Sequence, residues 1–150
     1  MHQVKFLWVG LLVLLSLFIA SELFAQADVI EKRQKFMKAN GADAKAVKKA
    51  AEEKNYATVE AKAKDLMGNS EKIPGLFPQG STAGKTKAKA EIWDKWDDFT
   101  KGASKLGKAA GGLAGAAAAK DDAKVEAGIK AVSGACGDCH KPFRAEKYSE

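Results

Sequence analysis

Apolar residues along most of the chain recur every three or four positions, the spacing at which side chains share one face of an α-helix. No stretch alternates between apolar and polar residues for long enough to predict a β-strand. The clearest stripe steps by four and three residues in turn through Ile92, Trp96, Phe99, Ala103, Leu106, Ala110 and Leu113. Such a heptad pattern is typical of a helix packed at a shallow angle on its neighbours. The sequence therefore predicts an all-α protein.

Two helices are predicted in the first half of the chain. The first covers about 28–54, with a weak point at Asn40-Gly41. The second begins at Asn55, a residue type that often caps helices, and ends at 68–70 (Gly-Asn-Ser). A linker with two of the three prolines follows at 73–86, long enough to cross the end of a helical bundle.

The third helix carries the heptad stripe, and the fourth carries a similar one. Glycines 111 and 112 are expected to weaken the end of the third helix, because each costs about 1 kcal/mol relative to alanine. Asp121-Asp122 suits a helix start, and the fourth stripe comprises Val125, Ile129, Val132, Cys136, Cys139 and Phe143. These elements predict an antiparallel four-helix bundle that spans residues 28–150.

The N-terminus has the pattern of a secretory signal peptide. Lys5 precedes an uninterrupted apolar run at 6–20, which is too short to span a bilayer comfortably. Ala25-Gln26-Ala27 then matches an A-x-A cleavage site. We predict a signal peptide at 1–27 and export to the periplasm. Cleavage after Ala25 and an uncleaved N-terminal anchor are the alternatives.

The charge and the small number of metal-ligating residues narrow the function. The chain has a net charge of +6, and removal of 1–27 deletes one Lys and one Glu, so the folded domain keeps that charge. A basic surface favours an acidic redox partner protein or an anionic membrane, and we expect no nucleic-acid partner. With His2 in the predicted signal, His140 is the sole histidine of the exported domain.

The fourth helix contains Cys136-Gly-Asp-Cys139-His140, the C-x-x-C-H pattern of covalent haem c attachment. Helical spacing puts both thiols and the imidazole on one face, where each thiol can add to a porphyrin vinyl group and the histidine can ligate the iron. A structural zinc site needs a fourth ligand, which this set lacks. A thioredoxin-like motif requires a preceding strand, and a disulfide fits poorly on a continuous helix.

Four segments resemble the class II cytochromes c, the cytochrome c′ and cytochrome c-556 type: 28–41 (DVIEKRQKFMKANG), 73–78 (IPGLFP), 91–93 (EIW) and 136–144 (CGDCHKPFR). The resemblance implies a four-helix bundle with one covalent haem c. Cys136 and Cys139 would hold the haem and His140 would be the proximal ligand of its iron. It also implies a monohaem redox and binding module in place of an enzyme, and a homodimer is compatible with it.

Within this family the sixth position of the iron is occupied by a methionine or left open. Met37 falls at the position of that methionine, so we predict a low-spin, His/Met-ligated carrier of single electrons. The alternative is a high-spin, five-coordinate cytochrome c′ that binds a small gas such as NO or CO. Met67 is expected to pack in the core.

Two arginines also correspond to family residues near the haem. Arg33 resembles one near the propionates and Arg144 one near the proximal face, although surface roles are the alternative for both. Pro142 departs from the family pattern, and we expect it to kink the fourth helix just after His140.

Overall fold

The computed structural model describes the backbone of residues 2–82 and 84–147 and the side chains of residues 27–82 and 84–147. The helices in this part of the chain are α1 (His2–Glu52), α2 (Tyr56–Lys72), the one-turn α3 (Glu91–Asp94), α4 (Trp96–Ala118) and α5 (Asp122–Phe143). Among these residues the only β pairing is an isolated antiparallel bridge between Ala88 and Arg144. The prediction of an all-α four-helix bundle is confirmed.

Two helices begin where their capping residues predict. The side chain of Asn55 accepts a hydrogen bond from the backbone N–H of Thr58 at 3.1 Å, at the start of α2. Asp121 accepts one in the same way from the backbone N–H of Lys124 at 3.1 Å, at the start of α5. Each cap satisfies a backbone donor that the first turn of a helix leaves free.

The predicted weak points all lie inside continuous helices. α1 passes through 40–41, α2 continues to Lys72, and α4 includes 111–112. The predicted end of the second helix at 68–70 is therefore wrong. In α4 the neighbouring Ala110, Leu113 and Ala114 are buried, and their burial outweighs the glycine cost of about 2 kcal/mol.

The predicted third helix is interrupted before its second turn. Lys95 has a non-helical backbone (φ −124°, ψ 47°) and separates α3 from α4. Ile92 and Phe99 remain buried on either side, but Trp96 is 37% exposed. Met67 is likewise 40% exposed, so the expected core positions of Trp96 and Met67 are wrong.

α4 is the central helix of the bundle, packed against both α2 and α5. α1 packs along α2 but makes little contact with α5, which opens a cleft between them. No helix in the described part of the chain has the length and apolar character needed to cross a membrane. The predicted signal peptide at 1–27 lies almost wholly outside the residues whose side chains are described, and it stays a prediction.

Candidate haem-binding site

The three residues of the C-x-x-C-H motif are brought together on one wall of the cleft. Cys136, Cys139 and His140 lie in the last two turns of α5 and line a space of about 900 Å³. Both cysteines are half-buried free thiols, so the pair is not a disulfide. The remaining walls are α1, the first half of α4 and residues between 73 and 92 that connect α2 to α4.

Gly102 of α4 allows the helix to lie close to the second cysteine. A Cβ atom at this position would lie 3.1 Å from Cys139 Sγ and 3.3 Å from Cys139 Cβ. Any larger residue would therefore push the thiol away from its place in the cleft wall. The sequence analysis did not identify Gly102, because this residue lies beside the heptad stripe. A glycine within a strong helical pattern is the one sequence feature that indicates close packing there.

The protein environment favours the uncharged form of each of these three groups. Burial raises the pKa of the Cys136 thiol, and burial together with Cys136 raises that of Cys139. His140 lies at the exposed edge of the cleft, but partial desolvation and then the positive charge of Arg144 lower its pKa. A neutral imidazole keeps the nitrogen lone pair that binds a metal.

The opposite wall of the cleft is one face of α1. Arg33, Met37, Asn40 and Ala44 follow one another at helical spacing and all line the cleft. Met37 is partly buried and packs against the hydrophobic core. The structure thus places Met37 across the cleft from the motif, as the sequence interpretation requires.

Arg33 is buried, with only 3% of its surface exposed, so the alternative of a surface role is wrong. Its guanidinium donates hydrogen bonds to Ser81 Oγ at 2.8 Å, the Ser81 carbonyl at 2.8 Å and Thr86 Oγ1 at 2.6 Å. It also lies 5.0 Å from the ring centroid of Phe77. Burial lowers the pKa of Arg33, and no described carboxylate forms an ion pair with it. The Arg33 side chain thus connects α1 to residues 73–90, the segment that crosses from α2 to α3, and it also lines the cleft.

The C-terminal end of α5 is fixed by backbone pairing with the crossover. Lys89 N–H donates to the Phe143 carbonyl at 3.1 Å, and Ala145 N–H donates to the Lys87 carbonyl at 2.8 Å. α5 continues through Pro142 and ends one residue later, and Phe143 is buried in edge contact with Phe99 at 5.4 Å. Pro142 therefore lies in the last turn of α5, and Phe143 keeps its place in the core; the expected kink stays a prediction.

Arg144 follows directly as the C-cap of α5 and lines the cleft while exposed to solvent. Its backbone N–H donates to the His140 carbonyl at 2.9 Å. The two predicted arginines thus both border the cleft, Arg33 from a buried position and Arg144 from an exposed one.

Sequence reasoning also missed Asn40, which lines the cleft and is 8% exposed. Its Oδ1 accepts a hydrogen bond from Asn69 Nδ2 of α2 at 2.8 Å. Its Nδ2 is buried without a hydrogen-bond acceptor among the residues that the structure describes. The sequence feature that could have identified Asn40 is its helical spacing from Arg33 and Met37, which puts the three residues on one face of α1.

The cleft fits a haem in size, chemistry and charge. Its volume falls in the range of cofactor sites, and its wall carries two thiols, an imidazole and a thioether. A buried arginine that lines the cleft without a carboxylate partner among the described residues is a group that an anionic cofactor would satisfy. The described residues hold no cluster of three or more His, Cys, Asp or Glu that could bind a bare metal ion.

Comparisons with known proteins identify the family of the chain. The family described as Cytochrome C' matches residues 28–144. Over 119 residues the chain is 38% identical to cytochrome c′ of Pararhodospirillum photometricum, which covers 77% of this chain and 94% of that protein. Over 124 residues it is 34% identical to cytochrome c-556 of Agrobacterium fabrum strain C58, which covers 81% and 84%.

The fold shows the same relationship. The crystal structure of cytochrome c′ from Thermochromatium tepidum superposes with a TM-score of 0.74 at 31% sequence identity, and the match covers 81% of this chain and 97% of that one. The chain therefore belongs to the cytochrome c′ family, and its cofactor is one covalent haem c.

Proposed function

We propose that this chain is an exported, periplasmic carrier of single electrons, with no turnover of a substrate. The main support for this proposal is that two thiols and an imidazole lie on one face of α5, in the wall of the cleft. Cys136 and Cys139 would hold the haem covalently through thioether bonds, and His140 would ligate its iron. The bound haem supplies an iron that accepts and releases one electron.

Met37 is the proposed ligand on the distal side. It lies on the α1 wall of the cleft, partly buried, opposite the motif. A second histidine ligand is ruled out in residues 28–150, because His140 is the only one there. A Met/His pair raises the reduction potential of a haem, which suits an electron carrier.

The second candidate is a five-coordinate cytochrome c′ that binds a small gas at an open sixth position. The comparisons favour this candidate over methionine ligation, because the family model and the 38% identical relative both carry the cytochrome c′ name. In that form Met37 fills space beside the iron and makes no bond to it. Binding of NO or CO would then be the function.

Visible spectra of the mature holoprotein distinguish the two candidates. With Met37 bound, we expect sharp, split bands in the reduced form, a weak sulfur-to-iron band in the oxidised form and no change under CO. Met37→Ala should abolish the sulfur band and create CO binding. Met67→Ala is the matched control, because Met67 is exposed and lies outside the cleft lining. A broad high-spin spectrum that shifts under CO in the unaltered protein would establish the gas-binding candidate.

We further propose that an acidic redox protein docks at the mouth of the cleft. Among the described residues, seven cationic ones line the cleft, with Glu31 as the only acidic one. We name this set the cationic rim: Arg33, Lys35, Lys38, Lys45, Lys48, Lys87 and Arg144. Docking there would put a partner's redox centre next to the cofactor; an anionic membrane and a homodimer remain predictions of the sequence.

A further inference from the structure

Gly102 brings the backbone of α4 against the second cysteine of the motif. The three heavy atoms nearest to an added Cβ at this position all belong to Cys139: Sγ at 3.1 Å, Cβ at 3.3 Å and Cα at 4.0 Å. Both residues line the cleft. The two shorter distances lie below ordinary van der Waals contact, so a side chain at residue 102 would displace Cys139.

The backbone of α5 has little freedom to relieve such crowding. On one side of the contact Gly128 of α5 packs on Leu113 of α4, and on the other Phe143 of α5 packs edge-on against Phe99 of α4, with 5.4 Å between ring centroids. Gly128 lies eleven residues before Cys139 and Phe143 four residues after it. Because α5 is held against α4 on both sides, the displacement falls mainly on the Cys139 side chain.

The position of the Cys139 sulfur matters because haem attachment needs close approach. Two reacting atoms must come within about 3–3.5 Å in the right orientation before a bond forms. Inside a helix a cysteine has two common χ1 positions, because the third points the side chain into the preceding turn. A sulfur pushed out of one position therefore has only the other, which directs it elsewhere.

We propose that Gly102 is a positioning residue for covalent attachment: because it has no side chain, the Cys139 thiol can reach the haem and form its thioether bond. This inference rests on the proposed function of Cys136 and Cys139 as the two anchors. The Cys139 sulfur bonds to the inner carbon of a vinyl group and the thiol hydrogen passes to the outer carbon, so no oxidant or reductant is consumed. None of the three atoms nearest to the added Cβ belongs to Cys136, so the Cys136 bond does not depend on the glycine.

Gly102→Ala adds the one atom that the contact excludes, and Gly112→Ala is the matched control. Gly112 lies in the same helix, outside the cleft lining, and no atom lies within 4 Å of its own added Cβ. Each protein is produced with haem c attachment machinery, unfolded and treated with iodoacetamide, which adds a mass tag to every free thiol. Mass spectrometry counts the tags on each haem-bearing chain and maps them to a cysteine.

A second readout is the α band of the pyridine haemochrome. This band moves to longer wavelength when one vinyl group remains, because that group stays conjugated with the ring. A Cys139→Ser protein, which can form only the Cys136 bond, supplies the reference spectrum for single attachment.

The unaltered protein and Gly112→Ala should carry no tag. In Gly102→Ala the ratio of untagged to singly tagged holoprotein should fall by at least about fivefold, as expected when one carbon atom is forced into a packed contact. The tag should map to Cys139, and the α band should move toward that of Cys139→Ser.

A Gly102→Ala holoprotein with no tag and an unshifted α band would overturn the proposal, as would tags divided equally between the two cysteines. Gly102→Ala is also made in the Cys139→Ser chain, where attachment through Cys136 should be unchanged. Loss of that attachment would show that Gly102 serves only the packing of α4 on α5, and the proposal would be rejected. Two tags on the unaltered protein would instead refute the proposed anchors themselves.

Discussion

Arg33 is the one charged residue in the buried set of the described chain. A buried cation costs several kcal/mol unless hydrogen bonds and an opposite charge compensate for it. Three hydrogen bonds to Ser81 and Thr86 and the face of Phe77 provide part of that compensation. A carboxylate of the cofactor would supply the missing negative charge, which links the stability of the crossover to haem binding.

Arg33→Lys should lower the free energy of unfolding by about 1–3 kcal/mol, because an ammonium cannot reproduce the planar, multiply bonded contact of the guanidinium. Urea denaturation of the holoprotein, followed by circular dichroism, measures the change. Lys32→Ala is the control: its ion pair with Asp28 is exposed, and its loss should cost less than about 0.5 kcal/mol. If both variants lose the same free energy of unfolding, the buried hydrogen bonds of Arg33 contribute no more to stability than an exposed ion pair.

At the level of residues, the sequence predicts what depends on near neighbours. The predicted caps are confirmed: Asn55 and Asp121 each accept a hydrogen bond from the backbone N–H three residues later. The three motif residues line the same cleft because they lie on one helix. The hydrogen-bond partners of Arg33 and Asn40 lie 48 and 29 residues away, respectively, at the nearest, so no local pattern could identify them. Periodicity shows which residues share the apolar face of a helix, but it does not show how deeply each of them is buried. For that reason the expected core positions of Met67 and Trp96 are wrong.

Close packing of α4 against α5 positions the motif helix. Gly128 of α5 faces Leu113 of α4, where an added Cβ would lie 3.0 Å from the leucine Cβ and Cδ1 and 3.1 Å from its Cα. Because one of these atoms is backbone, the contact can be relieved only by moving the helices apart. Gly134, six residues later in α5, has no atom within 4 Å of its own added Cβ.

Gly128→Ala and Gly134→Ala therefore form a matched pair within one helix. Both replace a helical glycine by alanine, which alone should stabilise the protein by up to about 1 kcal/mol. The crowding at residue 128 should offset this gain by about 1–3 kcal/mol, so Gly128→Ala should be clearly less stable than Gly134→Ala. Thermal unfolding measures both. A Gly128→Ala protein as stable as its partner variant would show that the α4–α5 contact is loose.

At the level of helices, the four long segments were predictable because each keeps its stripe over several turns. The break at Lys95 was not, because neither proline nor glycine marks it. The chain around this break is held by long-range backbone hydrogen bonds. The segment just before α3 pairs with the C-terminal end of α5 and the residues after it, through the N–H groups of Lys89 and Ala145. The cleft itself follows from the separation of α1 from α5, a relation between helices that no single stripe contains.

The charge of the whole molecule is concentrated at the cleft. The cationic rim and Glu31 together carry a net charge of +6, which is the net charge of the complete chain. The rest of the chain therefore carries equal numbers of cationic and acidic residues. Lys38, Lys45 and Lys48 of the rim form no ion pair among the described residues, and all three are exposed. Such an uneven distribution would orient the proposed acidic partner toward the cleft.

Reversing the three free rim charges in a Lys38→Glu, Lys45→Glu, Lys48→Glu variant should slow electron exchange with an acidic redox protein by at least about tenfold at low ionic strength. Flavodoxin is a suitable acidic donor, and stopped-flow absorbance of the haem bands gives the second-order rate. For the unaltered protein this rate should fall as added salt shortens the Debye length to about 10 Å at 0.1 M. The triple variant should lose that salt dependence.

The matched control is Lys72→Glu, Lys108→Glu, Lys120→Glu, which changes the net charge equally at exposed positions outside the cleft. Net charge acts at long range on any approach, whereas a docking face acts through the charges nearest the contact. The control should therefore slow the reaction far less than the rim variant. Equal slowing by both variants would mean that net charge alone governs the encounter, and docking at the cleft would then be rejected.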